Sequence, residues 1–216
     1  MSRGANLCGI ILSAGESTRM GTDKALLPWP PANSGQASLG QTFLSAAIRA
    51  LSMHTQMVIV VLGNNESAVA PVVYASGGSL VRNPDPSRGQ FSSLQVGLGE
   101  VLKRGRDGAM VTLVDRPPAK STTLERLCDA FGIALEAGKW AVVPEYGGKH
   151  GHPILLGREI IEEFLRAPAT ATARDIEHNN QKHIEYVPVD DPLVVVNVDT
   201  PQDYDALSAG AMPQVK

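Results

Sequence analysis

Short apolar runs rich in β-branched residues recur along the chain. They lie at Leu7–Leu12, Met57–Leu62, Leu80–Arg82, Ala109–Val114, Trp140–Pro144, Ile184–Val189 and Leu193–Val198. Several lack polar alternation, the pattern of strands covered on both faces. Between them, apolar residues return at helical spacing. Ser38–Met53 carries Leu39, Phe43, Ala46, Ala47, Ala50 and Leu51 on one stripe, and Gln90–Arg104 carries Phe91, Leu94, Gly97, Leu98 and Leu102. Ser121–Ala137 opens with Ser121 or Thr122 as a cap and Glu125 close behind. Further helices are predicted over Arg158–Leu165 and after Pro201. Strands alternating with helices imply βαβ crossovers, hence an α/β fold with a mainly parallel sheet. No composition break divides the chain, so a single domain over 1–216 is expected. Pro28–Gly40 is the most loop-like interior stretch, either a mobile flap or a long connection.

The composition supports this picture. Hydrophobic residues make up 43% of 216, enough for a substantial core. A net charge of −3, with both signs spread along the chain, argues against a nucleic-acid coat or an anionic membrane as partner. No apolar run reaches the length of a membrane span, and the N-terminus lacks the form of a secretory signal, so a cytoplasmic protein is expected. Cys8 and Cys128 form no CxxC pair and read as reduced cysteines in or near the core.

In open α/β sheets, ligands bind beyond the carboxyl ends of the strands. The residues leaving each apolar run therefore carry the candidate chemistry. After the first run come Ser13, Ala14 and Gly15, small enough for a ligand to approach the backbone. Exposed N–H groups there, with the Ser17 and Thr18 hydroxyls, can donate to phosphate oxygens. Arg19 adds a planar fork of donors and Lys24 a compact point charge, a set suited to a polyphosphate. The spacing fits neither the P-loop nor the dinucleotide fingerprint. Asn83, Gly89, Ser92 and Ser93 form a second polar set, in which the serines could meet a nucleoside or cap a helix. Asp115 follows one apolar run, and Asp199 precedes Thr200-Pro201, where either Asp199 or Thr200 could cap a helix.

The stretch "LSAGESTRMGTDKALLP" (Leu12–Pro28) resembles the signature loop of the nucleotidyltransferases that mature the molybdenum cofactor, the cytidylyl and guanylyl enzymes. "GQFSSLQVGL", "LVDRPP", "GHPILL" and "NVDTPQDY" continue the likeness in order over nearly the whole chain. The resemblance implies a Rossmann-like three-layer α/β/α fold and Mg²⁺-dependent transfer of a nucleoside monophosphate from an NTP, CTP favoured over GTP. The acceptor it implies is molybdopterin or the molybdenum cofactor, with transient contact to molybdoenzyme maturation proteins. It places Leu12, Ala14 and Gly15 by the base, Arg19 and Lys24 on the phosphates, and Asp115 and Asp199 on the metal. Gly89 matches the pattern for a nucleoside contact. His152, in the GHP motif, shapes the acceptor side, since His150 and His152 lack a third metal ligand. The Asp115-Arg116-Pro117-Pro118 turn departs from the Asp-Gln-Pro or Asp-Met-Pro of many relatives and puts the acceptor in question. Other readings are transfer to a sugar phosphate or other small phosphate, and a regulatory protein that binds a nucleotide without turnover.

Overall fold

Leu7 and Ile11 face one side of a central sheet, while Cys8, Ile10 and Leu12 face the other, and all five are buried. That alternation along one strand builds two cores, one on each face. The structure is a computed structural model describing residues 6–15, 17–30 and 40–209. Its strands are β1 (Leu7–Ser13), β2 (Met57–Leu62), β3 (Ser79–Arg82), β4 (Gly108–Leu113), β5 (Ala141–Tyr146), β6 (Lys149–His150), β7 (Ile154–Gly157) and β8 (Ile184–Pro188). The helices are α1 (Phe43–Ser52), α2 (Glu66–Ala75), α3 (Gln90–Lys103), α4 (Ser121–Glu136), α5 (Arg158–Arg166), α6 (Ala173–Asn179) and α7 (Pro201–Ser208).

The sheet order is β3-β2-β1-β4-β7-β5-β6, with β8 paired to β5. The β1–β2, β2–β3, β1–β4 and β5–β8 pairs are parallel, whereas β7 runs antiparallel to both β4 and β5. Helices α1, α2 and α4 cover one face through Leu44, Ile48, Val73, Leu127 and Phe131. Helices α3 and α5 cover the other through Leu94, Leu98, Ile161 and Phe164. The result is the expected three-layer α/β/α fold. Each buried Leu, Ile or Phe contributes about 1.5–3 kcal/mol of transfer free energy.

The chain leaves β1 toward β2 and β3, then returns to the other flank of β1 as β4. The strand order therefore reverses at β1, and a crevice is expected beyond the carboxyl ends of β1 and β4.

Some elements depart from the sequence expectation. Leu193–Val198 is not a strand. Pro192–Val195 winds into a 3₁₀ turn whose first free N–H, that of Leu193, donates to the Asp191 carboxylate at 3.2 Å. The Val194 carbonyl is taken by the His152 N–H at 2.8 Å, so that side of the segment serves a turn and not a ladder. Helix α1 begins at Phe43, capped by Thr42, later than its apolar stripe suggests. The start of the expected helix at Ser38, and most of the Pro28–Gly40 loop, lie outside the described residues.

Helix α4 begins where expected, but neither Ser121 nor Thr122 caps it. Lys120 holds the cap position, and the fully buried Asp191 carboxylate accepts from the Lys120 N–H at 2.8 Å and the Thr123 hydroxyl at 2.9 Å. Helix α2, with Pro71 inside it and only Val69 and Val73 buried, gives too weak a periodic pattern to read from sequence. The same holds for α6, which buries no residue. Cys8 is buried and Cys128 half-buried, and both are free thiols.

Candidate active site

A cavity of about 340 Å³ lies where the strand order reverses. Leu12, Ala14, Gly15, Ser17 and Arg19 line it from the first loop, Asp115 and Asp199 give it an acidic wall, and Gly89 and Ser93 also line it. The first wall is a tightly tied loop. Ser17 holds a left-handed backbone (φ 50°), its carbonyl accepts from the Met20 N–H at 3.0 Å, and its Oγ accepts from the Lys24 N–H at 3.2 Å. Asp23 caps the 3₁₀ turn Lys24–Leu26 by accepting from the Ala25 N–H at 2.9 Å. Asn65 then pins both ends of the loop, its side-chain amide donating to Asp23 Oδ2 at 2.7 Å and to the Ser13 carbonyl at 3.0 Å. Gly63 makes this close approach possible, since a Cβ there would stand 2.7 Å from the Ala14 carbonyl oxygen.

The loop delivers Lys24 to the middle of the acidic wall. Its Nζ lies 2.8 Å from Asp199 Oδ1 and 3.4 Å from Asp115 Oδ2, and the residue is only 8% exposed. Arg19, largely exposed, reaches Asp199 Oδ1 at 3.3 Å. The hydrogen bond from Lys24 holds the Asp199 carboxyl below the usual carboxylate range, against the opposing effect of burial, with Lys24 and Arg19 adding Coulombic support. Asp199 is free for this because Thr200 caps α7. The Thr200 hydroxyl accepts from the Asp203 N–H at 3.2 Å, and the Asp203 carboxylate takes the Thr200 N–H at 2.8 Å. The Val198 N–H donates to the Asp115 carbonyl at 2.8 Å. That bond splices the C-terminal segment onto the end of β4 and sets the two carboxylates side by side.

The second polar set divides into a lining and a support. Gly89 and Ser93 line the cavity. Gly89 precedes α3 with φ 87° and ψ 179°, a conformation essentially restricted to glycine. Asn83 and Ser92 are buried behind it. The Asn83 amide donates to both serine hydroxyls at 2.9 Å, and the Ser92 hydroxyl donates to the Gly89 carbonyl at 2.7 Å. Ser13 is likewise buried behind the first wall and contributes its carbonyl to Asn65. Asn65 and Gly63, at the exit of β2, are absent from the sequence expectation. The rule that ligands lie beyond the carboxyl ends of strands, applied to β2, points to both.

The acidic wall suits a divalent cation. One oxygen of Asp115, Oδ1, is buried without a hydrogen-bond partner, and Asp199 offers a second carboxylate nearby. Among the described residues no three His, Cys, Asp or Glu side chains gather as a metal cluster. A hard cation here would thus draw on two carboxylates, with ligand oxygens and water completing its shell, as Mg²⁺ prefers.

A second cavity, of about 600 Å³, shares Leu12, Gly89, Gln90 and Leu113 with the first. Its lining includes Phe91, Val111 and Ile154, together with Arg116 and His152. Burial, and then the charge of Arg116, lowers the His152 pKa to about 3, so the imidazole is neutral at physiological pH. Its neighbour His150 turns away, stacked on Tyr186 at 4.1 Å between ring centres.

The family described as "MobA-like NTP transferase domain" matches residues 9–184. A molybdenum cofactor cytidylyltransferase from Escherichia coli is 22% identical over 90% of this chain and 92% of its own. A probable molybdenum cofactor guanylyltransferase from Mycobacterium avium is 26% identical over 96% and 98%. Among solved structures, the manganese complex of Rv0371c from Mycobacterium tuberculosis superposes with a TM-score of 0.73 at 25% identity, covering 96% of this chain and all of that one.

Proposed function

The chain belongs to the MobA-like NTP transferase family, and from that premise we propose that it transfers a nucleoside monophosphate from an NTP to molybdopterin or the molybdenum cofactor, releasing pyrophosphate. The nucleotide is CTP in preference to GTP, because the Ser13-Ala14-Gly15 form of the first motif resembles the cytidylyl branch. The observation that carries the reading is the meeting of Lys24 with Asp115 and Asp199 at one end of a cavity walled by the Gly15 and Gly89 backbones.

Transfer joins an acceptor phosphate oxygen to the α-phosphorus and breaks the α–β bridging P–O bond, whose electron pair leaves with pyrophosphate. The acceptor phosphate is already anionic near neutral pH, so the reaction needs no general base. The protein's task is positioning and charge compensation. Leu12, Ala14 and Gly15 bring backbone against the base and sugar, with Gly89 and Ser93 opposite. Ser13, Asn83 and Ser92 hold those walls in place from behind. The Ser17 hydroxyl orders the loop, while Arg19 and Lys24 neutralise the triphosphate and the leaving pyrophosphate. Asp115 and Asp199 would hold Mg²⁺. When bound, that ion supplies Lewis-acid stabilisation of phosphoryl charge. His152 shapes the acceptor cavity as a neutral group.

The continuous sheet supports one domain over 1–216. No described helix is long and apolar enough to cross a membrane, which accords with action in the cytoplasm. The test is pyrophosphate release from each of the four NTPs with Mg²⁺ and molybdopterin. The reading expects CTP to be used fastest, and it fails if no NTP yields acceptor-dependent pyrophosphate.

A further inference from the structure

Asp115 and Arg116 are consecutive, yet they line different cavities: Asp115 the first, Arg116 the second. The turn after β4 is closed by the Arg116 N–H on the Leu113 carbonyl at 3.1 Å, which separates the two side chains. Arg116 Nη1 donates to the Val194 carbonyl at 3.2 Å, which anchors the guanidinium. Its Nε is buried without a hydrogen-bond partner. Among the described residues no carboxylate comes within ion-pair distance of this cation, although Arg104, Arg158 and Arg166 all have one. Asp115 and Asp199 act on it only through space, and burial lowers its pKa.

A largely dehydrated guanidinium with one neutral anchor is costly to keep. Arg116 lines a cavity that also offers Phe91, Val111 and Ile154 as apolar surface and His152 as an uncharged neighbour. Glu177, Arg88 and Arg174 also line that cavity; burial raises the Glu177 pKa, with the charge of Arg174 opposing, and among the described residues Glu177 makes no ion pair with Arg116. The missing counter-charge is therefore sought in a ligand. A planar fork of N–H donors matches the oxygens of a phosphate.

We propose that Arg116 is the anion receptor of the second cavity and a specificity-determining residue, selecting acceptors whose attacking group is a phosphomonoester. This rests on the nucleotidyl-transfer reading above. It assigns the acceptor phosphate to the junction of the two cavities, between the fork of Arg116 and the carboxylate wall. An acceptor bearing only a hydroxyl would leave the guanidinium unpaired and bind poorly.

The test uses the full chain saturated with Mg²⁺ and α,β-methylene-CTP, which fills the donor side and cannot react there. Methyl phosphate is the probe, titrated by calorimetry and by ³¹P line broadening. Arg116→Gln should weaken methyl phosphate by about 10- to 100-fold, the loss expected for a charge-assisted hydrogen bond, while the affinity for α,β-methylene-CTP stays the same. Arg116→Lys, which keeps the charge but loses the fork, should fall between wild type and Gln, and it carries the test should the Gln variant not fold. Unchanged methyl phosphate binding in these variants overturns the proposal. So does an equal loss of α,β-methylene-CTP binding, which would make Arg116 a donor-side residue. If wild type binds no α,β-methylene-CTP but its methyl phosphate binding still depends on Arg116, the nucleotidyl-transfer reading falls and the anion site stands.

Discussion

The Lys24 ammonium lies 2.8 Å from Asp199 Oδ1, although 175 residues separate them in the chain. The same nitrogen reaches Asp115 at 3.4 Å, so one lysine ties the N-terminal loop to two carboxylates from distant segments. Lys24→Ala should lower nucleotidyl transfer by about 10²- to 10³-fold, the scale for loss of a key electrostatic donor. The far-UV circular dichroism spectrum should stay unchanged. Wild-type turnover in this variant would remove the loop from the mechanism.

A second consequence concerns the metal alone. A divalent ion held by Asp115 and Asp199, as proposed, would compete with the ammonium for the same two carboxylates. Without nucleotide, Lys24→Ala should therefore bind Mn²⁺ more tightly than wild type, read by the loss of the free-ion electron paramagnetic signal. Weaker Mn²⁺ binding would mean that Lys24 does not occupy the cation's place.

Gly63 tests the close approach between the exit of β2 and the first loop. In Gly63→Ala the added Cβ would meet the Ala14 carbonyl oxygen at 2.7 Å, so the loop must move. Nucleotide affinity, measured by calorimetry, is expected to fall about tenfold or more, since the displaced backbone lines the cavity. Affinity equal to wild type would show that the loop shifts without consequence.

Much of this arrangement was legible in the sequence. The apolar runs placed β1, β2 and β4, and the carboxyl-end rule picked out Gly15, Lys24 and Asp115, which share a cavity with Asp199, itself reached through a run that is not a strand. What escaped was whatever depends on contacts across the chain. Asp191 looks like a loop acid, yet it caps a helix from 71 residues away. Asn83 and Ser92 look like ligand contacts, but their polarity is spent on one another and on Gly89. Leu193–Val198 has the composition of a strand, but its Leu193 carbonyl closes its own 3₁₀ turn and its Val194 carbonyl accepts from the His152 N–H. Local pattern cannot distinguish these uses, because the same side chain satisfies the same hydrogen-bonding need in either place.

Asp191 also bears on stability. Its buried carboxylate accepts from the Lys120 and Leu193 N–H groups and the Thr123 hydroxyl. Asp191→Ala leaves those donors unsatisfied, at about 1–3 kcal/mol for each that water cannot reach. Urea denaturation should show a lower midpoint, with total destabilisation of about 3 kcal/mol or more. A midpoint within error of wild type would mean that solvent replaces the cap.

His152 makes stability depend on pH. Its pKa is lowered from 6.5 to about 3 in the fold. Between those values the unfolded chain binds the extra proton, so stability falls as pH drops below about 6.5. A single group contributes a slope of up to about 1.4 kcal/mol per pH unit. His152→Gln should flatten the stability curve between about pH 6.5 and 4, above most carboxylate titration. Parallel curves for the two proteins would place the ring in water.

The Val198–Asp115 splice has a bearing on biosynthesis. While a ribosome is still extending the polypeptide, β1 to β4 can pair and bury their apolar faces, yet the second acid is missing until residue 199 has cleared the exit tunnel. A nascent chain thus carries one of the two wall carboxylates beside a finished loop. The proposed site is completed only when the segment carrying Asp199 docks on the end of β4, so copies that stop short of it lack one of its two carboxylates.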